Sequence, residues 1–157
     1  MPNQTPTANP AQRLDNQLCF AVYAASLAMT KAYKPLLGAL GLTYPQYLVL
    51  LVLWEQDNLP VTELGERLNL DSGTLTPLLK RMEAAGWVER QRHSADERKV
   101  HTVLTPAGQA LQDQAACIPL QMADKVACSS QDLVRLTAEL HTLRQRLQQR
   151  SASPSET

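Results

Sequence analysis

The chain has 157 residues, 44% of them hydrophobic, which suits one ordinary globular domain with its own core. Its 15 basic and 15 acidic side chains cancel, which excludes a disordered polyelectrolyte and leaves any nucleic-acid surface to charge segregation. No apolar run reaches membrane-spanning length, and the three cysteines, Cys19, Cys117 and Cys128, are odd in number and far apart, which excludes a secreted disulfide framework.

The opening MPNQTPTANPAQ lacks a basic or apolar leader region, so a cytoplasmic protein is expected. Met1–Pro10, rich in Pro, Asn and Thr, reads as a mobile arm. A long helix is expected from about Ala11 to Lys34, ended by Pro35. Leu14, Leu18, Val22, Ala25 and Met29 form an apolar stripe on it. Beside the stripe runs a row of thiol and hydroxyl groups, Cys19, Tyr23, Ser26, Thr30 and Tyr33. By residue type alone, a lone cysteine on an apolar helix is more often a small buried hydrophobe than a reactive thiol. After a short apolar connection, Leu36–Leu42, Thr43 and Gln46 make a capping box for a helix over Tyr44–Glu55. That helix is apolar nearly all round and belongs at the centre of the domain. Asp57, Asn58 and Pro60 break it off.

Val61–Leu68 sets Leu64 and Leu68 on one helical face. Asn69 supplies a left-handed residue to close that helix, and Leu70 anchors the turn. Asp71 is the N-cap of a second helix, on which Leu75, Leu78, Leu79 and Met82 point inward. Ser72, Gly73, Thr76, Pro77, Lys80 and Arg81 stay outside, small, hydroxylic and cationic groups suited to a DNA major groove. Gly86 ends the helix. Val88, Arg90 and Arg92 then alternate with Glu89 and Gln91 as a strand, and a charged turn, Ser94–Arg98, leads to a partner strand, Val100–Leu104. Two helices, a tight turn and a hairpin carrying Arg90, Arg92, Arg98 and Lys99 make a winged helix-turn-helix over about 61–104. Ser72, Thr74 and Thr76 are candidates for base or phosphate contacts and Arg98 for the minor groove. Lys80, Arg81, Arg90 and Arg92 are candidates for phosphates. Because even Val61–Thr105 balances its charges, the cations must segregate to the contact side while Glu63 and Glu66 face away.

Thr105-Pro106 opens the next helix as N-cap and N1. Leu111, Ala115, Ile118, Met122 and Val126 mark one face of it, with Pro119 a kink and Cys117 embedded just before. Ser129 or Ser130 caps a last helix, where Leu133, Leu136, Leu140, Leu143 and Leu147 alternate spacings of three and four, the seam by which helices pair. The fold class is therefore mainly α (α+β). A single domain over 11–150 carries pairing helices at about 11–40 and 106–149, and a polar tail, 151–157, reads as disordered. A symmetric homodimer presenting two recognition helices to a pseudo-palindromic operator is the economical arrangement.

Over about Leu14–Leu147 the chain resembles the MarR family of dimeric winged-helix regulators, most clearly in DSGTLTPLLKRMEAAGWVERQRHSADERKVHTVLTPAG. Its N-terminal half, LDNQLCFAVYAASLAMTKAYKPLLGALGLTYPQYLVLLVLWE, resembles the organic-hydroperoxide resistance branch, whose members are thiol-based repressors. The resemblance implies operator release on oxidation by an organic hydroperoxide. It places the sensing thiol at Cys19, supporting tyrosines at Tyr33 and Tyr44, and Asp96 in a wing-stabilising position within Asp96-Glu97-Arg98. With Cys117 and Cys128 the chain looks like the two-cysteine type, although the motif does not say which one resolves.

Cys19 sits deep in the expected helix, so the N-terminal dipole contributes little to its thiolate, and Arg13 is about two turns away. Tyrosine hydroxyls remain as donors. Tyr23 lies one turn along, but Tyr33 is fourteen residues on, roughly 21 Å along a straight helix. Only an antiparallel crossing of two subunits' first helices brings Tyr33 to a Cys19. Cys128, in VACSSQD, is the expected resolving thiol because Ser129 and Ser130 signal a flexible junction. A rival reading keeps the fold but has a small aromatic ligand release the DNA, with Cys19 structural. A thiol peroxidase would want a β-α-β framework and an arginine beside the cysteine, and neither is visible, so no enzyme is expected. The scattered His93, His101 and His141 and the lack of a Cys-x-x-Cys argue for no metal and no cofactor.

Overall fold

The computed structural model describes residues 9–93 and 96–152, and of residues 93, 96–98 and 151–152 only the backbone. The expectations for a mobile arm at 1–8 and a tail at 153–157 lie outside the described residues. Among the described residues seven α-helices and three strands follow in the order α1 (Leu18–Gly38), α2 (Tyr44–Glu55), β1 (Leu59–Pro60), α3 (Val61–Leu68), α4 (Ser72–Ala84), β2 (Val88–His93), β3 (Asp96–Leu104), α5 (Pro106–Ala115), α6 (Ile118–Val126) and α7 (Ser130–Ala152). The chain divides into two compact units, Met1–Ile118 and Pro119–Thr157.

The first unit is built on α2. Gln46 Oε1 accepts the Thr43 backbone N–H at 2.8 Å, the capping-box contact expected there. Val49, Leu50 and Leu53 are buried, as an all-round apolar helix requires, and α1, α3, α4 and α5 all touch α2. Trp54 Nε1 donates to the Gly108 carbonyl at 3.1 Å, tying α2 to α5.

α1 differs from expectation at both ends. It begins at Leu18 rather than near Ala11, after two single-turn 3-10 helices, Pro10–Gln12 and Leu14–Asn16. Asn16 and Gln17 side-chain amides donate to the Pro10 and Ala11 carbonyls at 2.8 and 2.5 Å, and Asn9 caps Ala11. Local side-chain bonds of this kind compete with the helical ladder. At the other end Pro35 does not stop the helix, which runs on to Gly38. The donor that Pro35 lacks would have served Lys31, an exposed residue whose carbonyl water can reach. Continuing the helix seats Leu37, 1% exposed, in the core. Burying a leucine is worth about 2 kcal/mol, of the same order as the proline penalty it offsets.

Leu14, Leu18, Val22, Tyr23, Leu27 and Met29 stand exposed along this N-terminal segment.

β1 was not foreseen. Leu59 and Pro60 pair antiparallel with Thr102 and His101, giving a three-stranded sheet of order β1-β3-β2. β2 and β3 form the expected hairpin, with Val88 opposite Leu104, Arg92 opposite Val100, and a bulge between Arg92 and His93. Leu104 N donates to Asp57 Oδ1 at 2.9 Å, so the residue read only as a breaker also fastens the hairpin. α5 opens at Thr105 and Pro106 as expected, with Gly108 N donating to Thr105 Oγ1 at 3.0 Å.

The expected single helix kinked at Pro119 is instead two helices. α5 ends at Ala115, whose carbonyl the N–H missing from Pro119 would have met, and Pro119 falls in the first turn of α6. Cys117 therefore lies in the turn between them rather than inside a helix, and it is exposed. In the second unit, Ser129 caps α7 by accepting from Asp132 N at 3.1 Å. α7 runs through Ala152, so the first two residues of the expected tail are helical. Leu136, Leu140 and Leu147 of the expected seam are exposed.

Gly108 marks a backbone approach that tolerates nothing larger. A Cβ there would lie 2.0 Å from the Trp87 carbonyl oxygen, whereas at Gly38 it would meet nothing within 4 Å. Gly108→Ala is expected to cost about 3 kcal/mol, because backbone rather than a flexible side chain must move. Gly38→Ala is expected to stabilise by about 0.5 kcal/mol. Urea unfolding followed by circular dichroism checks both, and equal midpoints for the two variants would refute the packing argument.

Candidate functional site

The recognition unit is assembled by backbone closures. α3 ends at Asn69 with φ 53° and ψ 41°, the left-handed closure expected. Leu70 N then reaches back to the Gly65 carbonyl at 2.9 Å. Gly65 was not singled out by the sequence, yet a Cβ on it would lie 2.8 Å from the Leu70 carbonyl oxygen. Its signal was available as a glycine inside a helical pattern, which often marks a close approach. α4 then begins at Asp71, whose Oδ1 accepts Thr74 N at 2.9 Å. Leu75, Leu78, Leu79 and Met82 are buried as expected, and Ser72, Gly73, Pro77, Lys80 and Arg81 are exposed. Thr76 is half-buried.

Thr74 has a prior engagement. Its hydroxyl donates to Asp71 Oδ2 at 3.0 Å, so its proton is already given to the cap. The Thr74 backbone N–H, followed by this hydroxyl, holds the Asp71 carboxyl below its ordinary value.

At the far end, Gly86 with φ 79° closes α4, and Trp87 N bonds the Met82 carbonyl at 3.1 Å. The hairpin that follows does not leave all its cations free. Arg90 Nε and Nη2 donate to Glu83 Oε2 at 2.9 and 2.7 Å, and Arg90 N donates to Glu83 Oε1 at 3.1 Å. The guanidinium and then the backbone N–H hold the Glu83 carboxyl below its ordinary value. Arg67 is likewise paired with Glu55. Glu66 is exposed and Glu63 half-buried. Lys80, Arg81 and Arg92 are exposed cations of the recognition unit, as is Lys99. The side chains of Asp96 and Arg98 lie outside the described residues. A pocket opens between the start of α3 (Pro60, Val61, Thr62), Thr76 and Leu79 of α4, and Arg90, Lys99 and Val100 of the hairpin.

Cys19 is exposed and occupies the second position of α1. The expectation that it lies too deep for the helix terminus to act on is therefore corrected. Because the turn expected to open the helix is taken up by side-chain bonds from Asn16 and Gln17, the helix starts late and Cys19 falls in its first turn. Tyr33 and Tyr44 are brought together, ring centroids 4.6 Å apart, with Tyr47 at 6.0 Å from Tyr33. Burial pushes the hydroxyls of Tyr33 and Tyr44 up from their ordinary value, Tyr33 further through Tyr44 and Tyr47, so both keep their protons as donors at neutral pH. Tyr23 is exposed. Cys128 is exposed at the α6–α7 junction, next to Ala127 with φ 52°. Since Cys117 also lies exposed between helices, the contrast used to prefer Cys128 does not hold. Among the described residues no group of His, Cys, Asp and Glu could hold a metal ion, and no helix is long and apolar enough to cross a membrane.

The Asp71 cap makes α4 acid-sensitive in a defined direction. A carboxyl held below its unfolded value stabilises the fold above that value and loses the contribution as pH falls through the folded one. The Asp71→Asn variant, with an acceptor that does not titrate, is expected to lose less of its melting temperature between pH 7 and pH 3 than wild type. Parallel pH profiles for the two would remove the carboxylate from the cap.

Residues 42–100 match the model of the MarR family. The chain is 50% identical over 139 residues to the organic hydroperoxide resistance transcriptional regulator of Bacillus subtilis, covering 88% of this chain and 95% of that one. Among solved structures, reduced AbfR bound to DNA superposes with a TM-score of 0.74 at 36% identity, over 92% of this chain and all of that one. AbfR, a protein of Staphylococcus epidermidis, in its disulfide form superposes at 0.60 and 40% identity, over 83% of this chain and 92% of that one. With the winged unit in place and half of the 139 aligned residues shared with a regulator of nearly equal length, the chain belongs to the MarR family, as a transcriptional regulator and not an enzyme.

Proposed function

We propose that this protein is a redox-sensing repressor that binds pseudo-palindromic operator DNA as a homodimer when reduced and releases it when an organic hydroperoxide oxidises Cys19. The observation that carries the reading is the exposed Cys19 in the first turn of α1, on a chain 50% identical to an organic hydroperoxide resistance regulator. The recognition helix presents Ser72, Thr76, Lys80 and Arg81, and the hairpin adds Arg92, with Arg98 at its tip. Thr74 serves the cap first. In the first unit α1 leaves Leu18 and Leu27 exposed and in the second α7 leaves Leu136 and Leu140 exposed, and each is apolar surface for a second copy to cover. Action on chromosomal DNA by a reduced thiol places the protein in the cytoplasm.

In the chemistry, the Cys19 thiolate attacks the distal oxygen of the hydroperoxide. The O–O bond breaks, the alcohol leaves with a proton, and Cys19 becomes a sulfenic acid. A second thiol condenses with it, forming a disulfide and releasing water. Tyr33 and Tyr44 support the sulfur as hydroxyl donors. Fourteen residues of helix separate Tyr33 from its own Cys19, roughly 21 Å, so the tyrosine pair serves the partner's thiol. Cys128 is kept as the proposed resolving thiol on its place in the α6–α7 break, beside the left-handed Ala127, and Cys117 in the α5–α6 turn is its competitor. A second reading, release by a small aromatic ligand with Cys19 structural, has the pocket beside Thr76 and Arg90 in its favour.

A mobility-shift assay separates the readings. Reduced wild type is expected to bind its own promoter region and lose ~10³ in affinity between 50 and 200 mM salt if about six phosphates are neutralised. Hydroperoxide is expected to release wild type but not Cys19→Ser. Release that persists in Cys19→Ser favours the ligand reading. On a non-reducing gel, oxidised wild type is expected to run as a covalent dimer and Cys128→Ser as a monomer. Cross-linking lost in Cys117→Ser instead reassigns the resolving thiol.

Tyr33→Phe and Tyr44→Phe each keep the ring and remove the donor. Both are expected to leave DNA affinity unchanged and to slow sulfenic acid formation about tenfold, the loss of one hydrogen bond to a charged group. Wild-type rates of dimedone labelling in both variants would remove the tyrosines from the thiol chemistry.

A further inference from the structure

Glu83 has no place in the DNA contact set, yet it holds the cation that sequence reading gave to a phosphate. It is the penultimate residue of α4, and the chain turns at Gly86 before the hairpin begins at Val88. Val88 is buried, but further along the hairpin a pocket separates Thr76 and Leu79 on α4 from Arg90, Lys99 and Val100. There the pocket leaves open space between helix and wing. The three hydrogen bonds from Arg90 to the Glu83 carboxylate, at 2.7–3.1 Å, span that gap at its edge.

We propose that Glu83 is a positioning residue for DNA binding, which grips the side chain and backbone of Arg90 and so fixes the angle of the wing on the recognition helix. The inference rests on the DNA-binding reading above. A guanidinium held through two of its nitrogens, with the strand's own N–H on the second carboxylate oxygen, defines an orientation as well as a contact. Both side chains remain partly open to water, 27% exposed for Arg90 and 36% for Glu83. An ion pair in that setting adds little to global stability. Its effect is geometric and appears when helix and wing must meet two grooves of one duplex together.

The two roles for Arg90 predict opposite signs. If Arg90 contacts a phosphate, Glu83 competes with the DNA, and Glu83→Gln tightens binding. If Glu83 braces the wing, Glu83→Gln keeps an acceptor for Arg90 N, loses the charged grip and weakens binding. The experiment is a salt titration of full-length wild type, Glu83→Gln and Arg90→Lys on the protein's own promoter DNA and on random DNA, with hydroxyl-radical footprints. Wild type that does not prefer its promoter over random DNA refutes the DNA-binding reading itself, whatever Glu83 does. Given that preference, Glu83→Gln is expected to bind about tenfold more weakly, the loss of a charge-assisted contact. Its salt slope is expected to match wild type, and protection is expected to fade at the wing flanks while persisting under the recognition helix. Arg90→Lys, which keeps the charge and loses the fork, is expected to show the same pattern. Melting temperatures within a few degrees of wild type separate this from misfolding, and if Glu83→Gln does not fold, Arg90→Lys decides alone. Unchanged or tighter binding by Glu83→Gln, or wild-type affinity and footprint in Arg90→Lys, overturns the proposal.

Discussion

Burial of α2 is the constraint on which the first compact unit depends. Tyr44–Glu55 has almost no polar face, so water must be excluded from every side of it, and four other helices touch it to do so. That demand reaches outward. It draws Leu37 into the core, which carries α1 past a proline that would end a solvent-exposed helix. It places the Trp54 indole against α5, where Gly108 leaves its carbonyl within reach. The Tyr33–Tyr44 pair forms where α1 and the start of α2 meet, so the candidate donors for the thiol are a by-product of core packing.

The recognition unit is held by backbone geometry more than by side-chain bulk. Gly65 admits the Leu70 carbonyl, Asn69 and Gly86 take left-handed conformations, and Gly108 admits the Trp87 carbonyl. Thr105 adds a hydroxyl bond to the Gly86 carbonyl at 2.6 Å, so one residue caps α5 and steadies the turn after α4. Such close approaches leave few alternative arrangements, and the faces presented by α4 follow from them. A helix so fixed offers its outward groups without having to order them on binding.

Charge is managed by pairing. A chain with no net charge binds an anionic polymer only if its acids are occupied or turned aside. Glu55 is paired with Arg67 and Glu83 with Arg90, while Asp71 is bound to Thr74. The last two pairings also withdraw candidates from the contact surface, the Arg90 cation and the Thr74 hydroxyl proton. Lys80, Arg81, Arg92 and Lys99 are left exposed.

The sequence by itself determined the elements whose causes lie within a turn or two of chain. Asp71 as cap, Asn69 and Gly86 as closures, Thr105-Pro106 as a helix start and the buried row Leu75, Leu78, Leu79 and Met82 depend on local hydrogen bonds and on the 3.6-residue period. The DSGTLTPLLKRMEAAGW stretch and the Cys19 segment also carried the family, because those residues sit in its motif. Tertiary structure decided what depends on distant partners. Leu59–Pro60 is a strand only because β3 lies beside it, and Asp57 anchors Leu104 across 47 positions. Proline alone did not decide where a helix stops: α1 runs through Pro35 and seats Leu37, whereas α5 stops at Ala115 and Pro119 falls in the first turn of α6. The start of α1, and with it the place of Cys19 in the first turn, was decided by two side-chain amides that took carbonyls the helix would have used. Arg90 looked like a phosphate contact because periodicity reports which face a side chain is on, while its partner Glu83 is set by the fold.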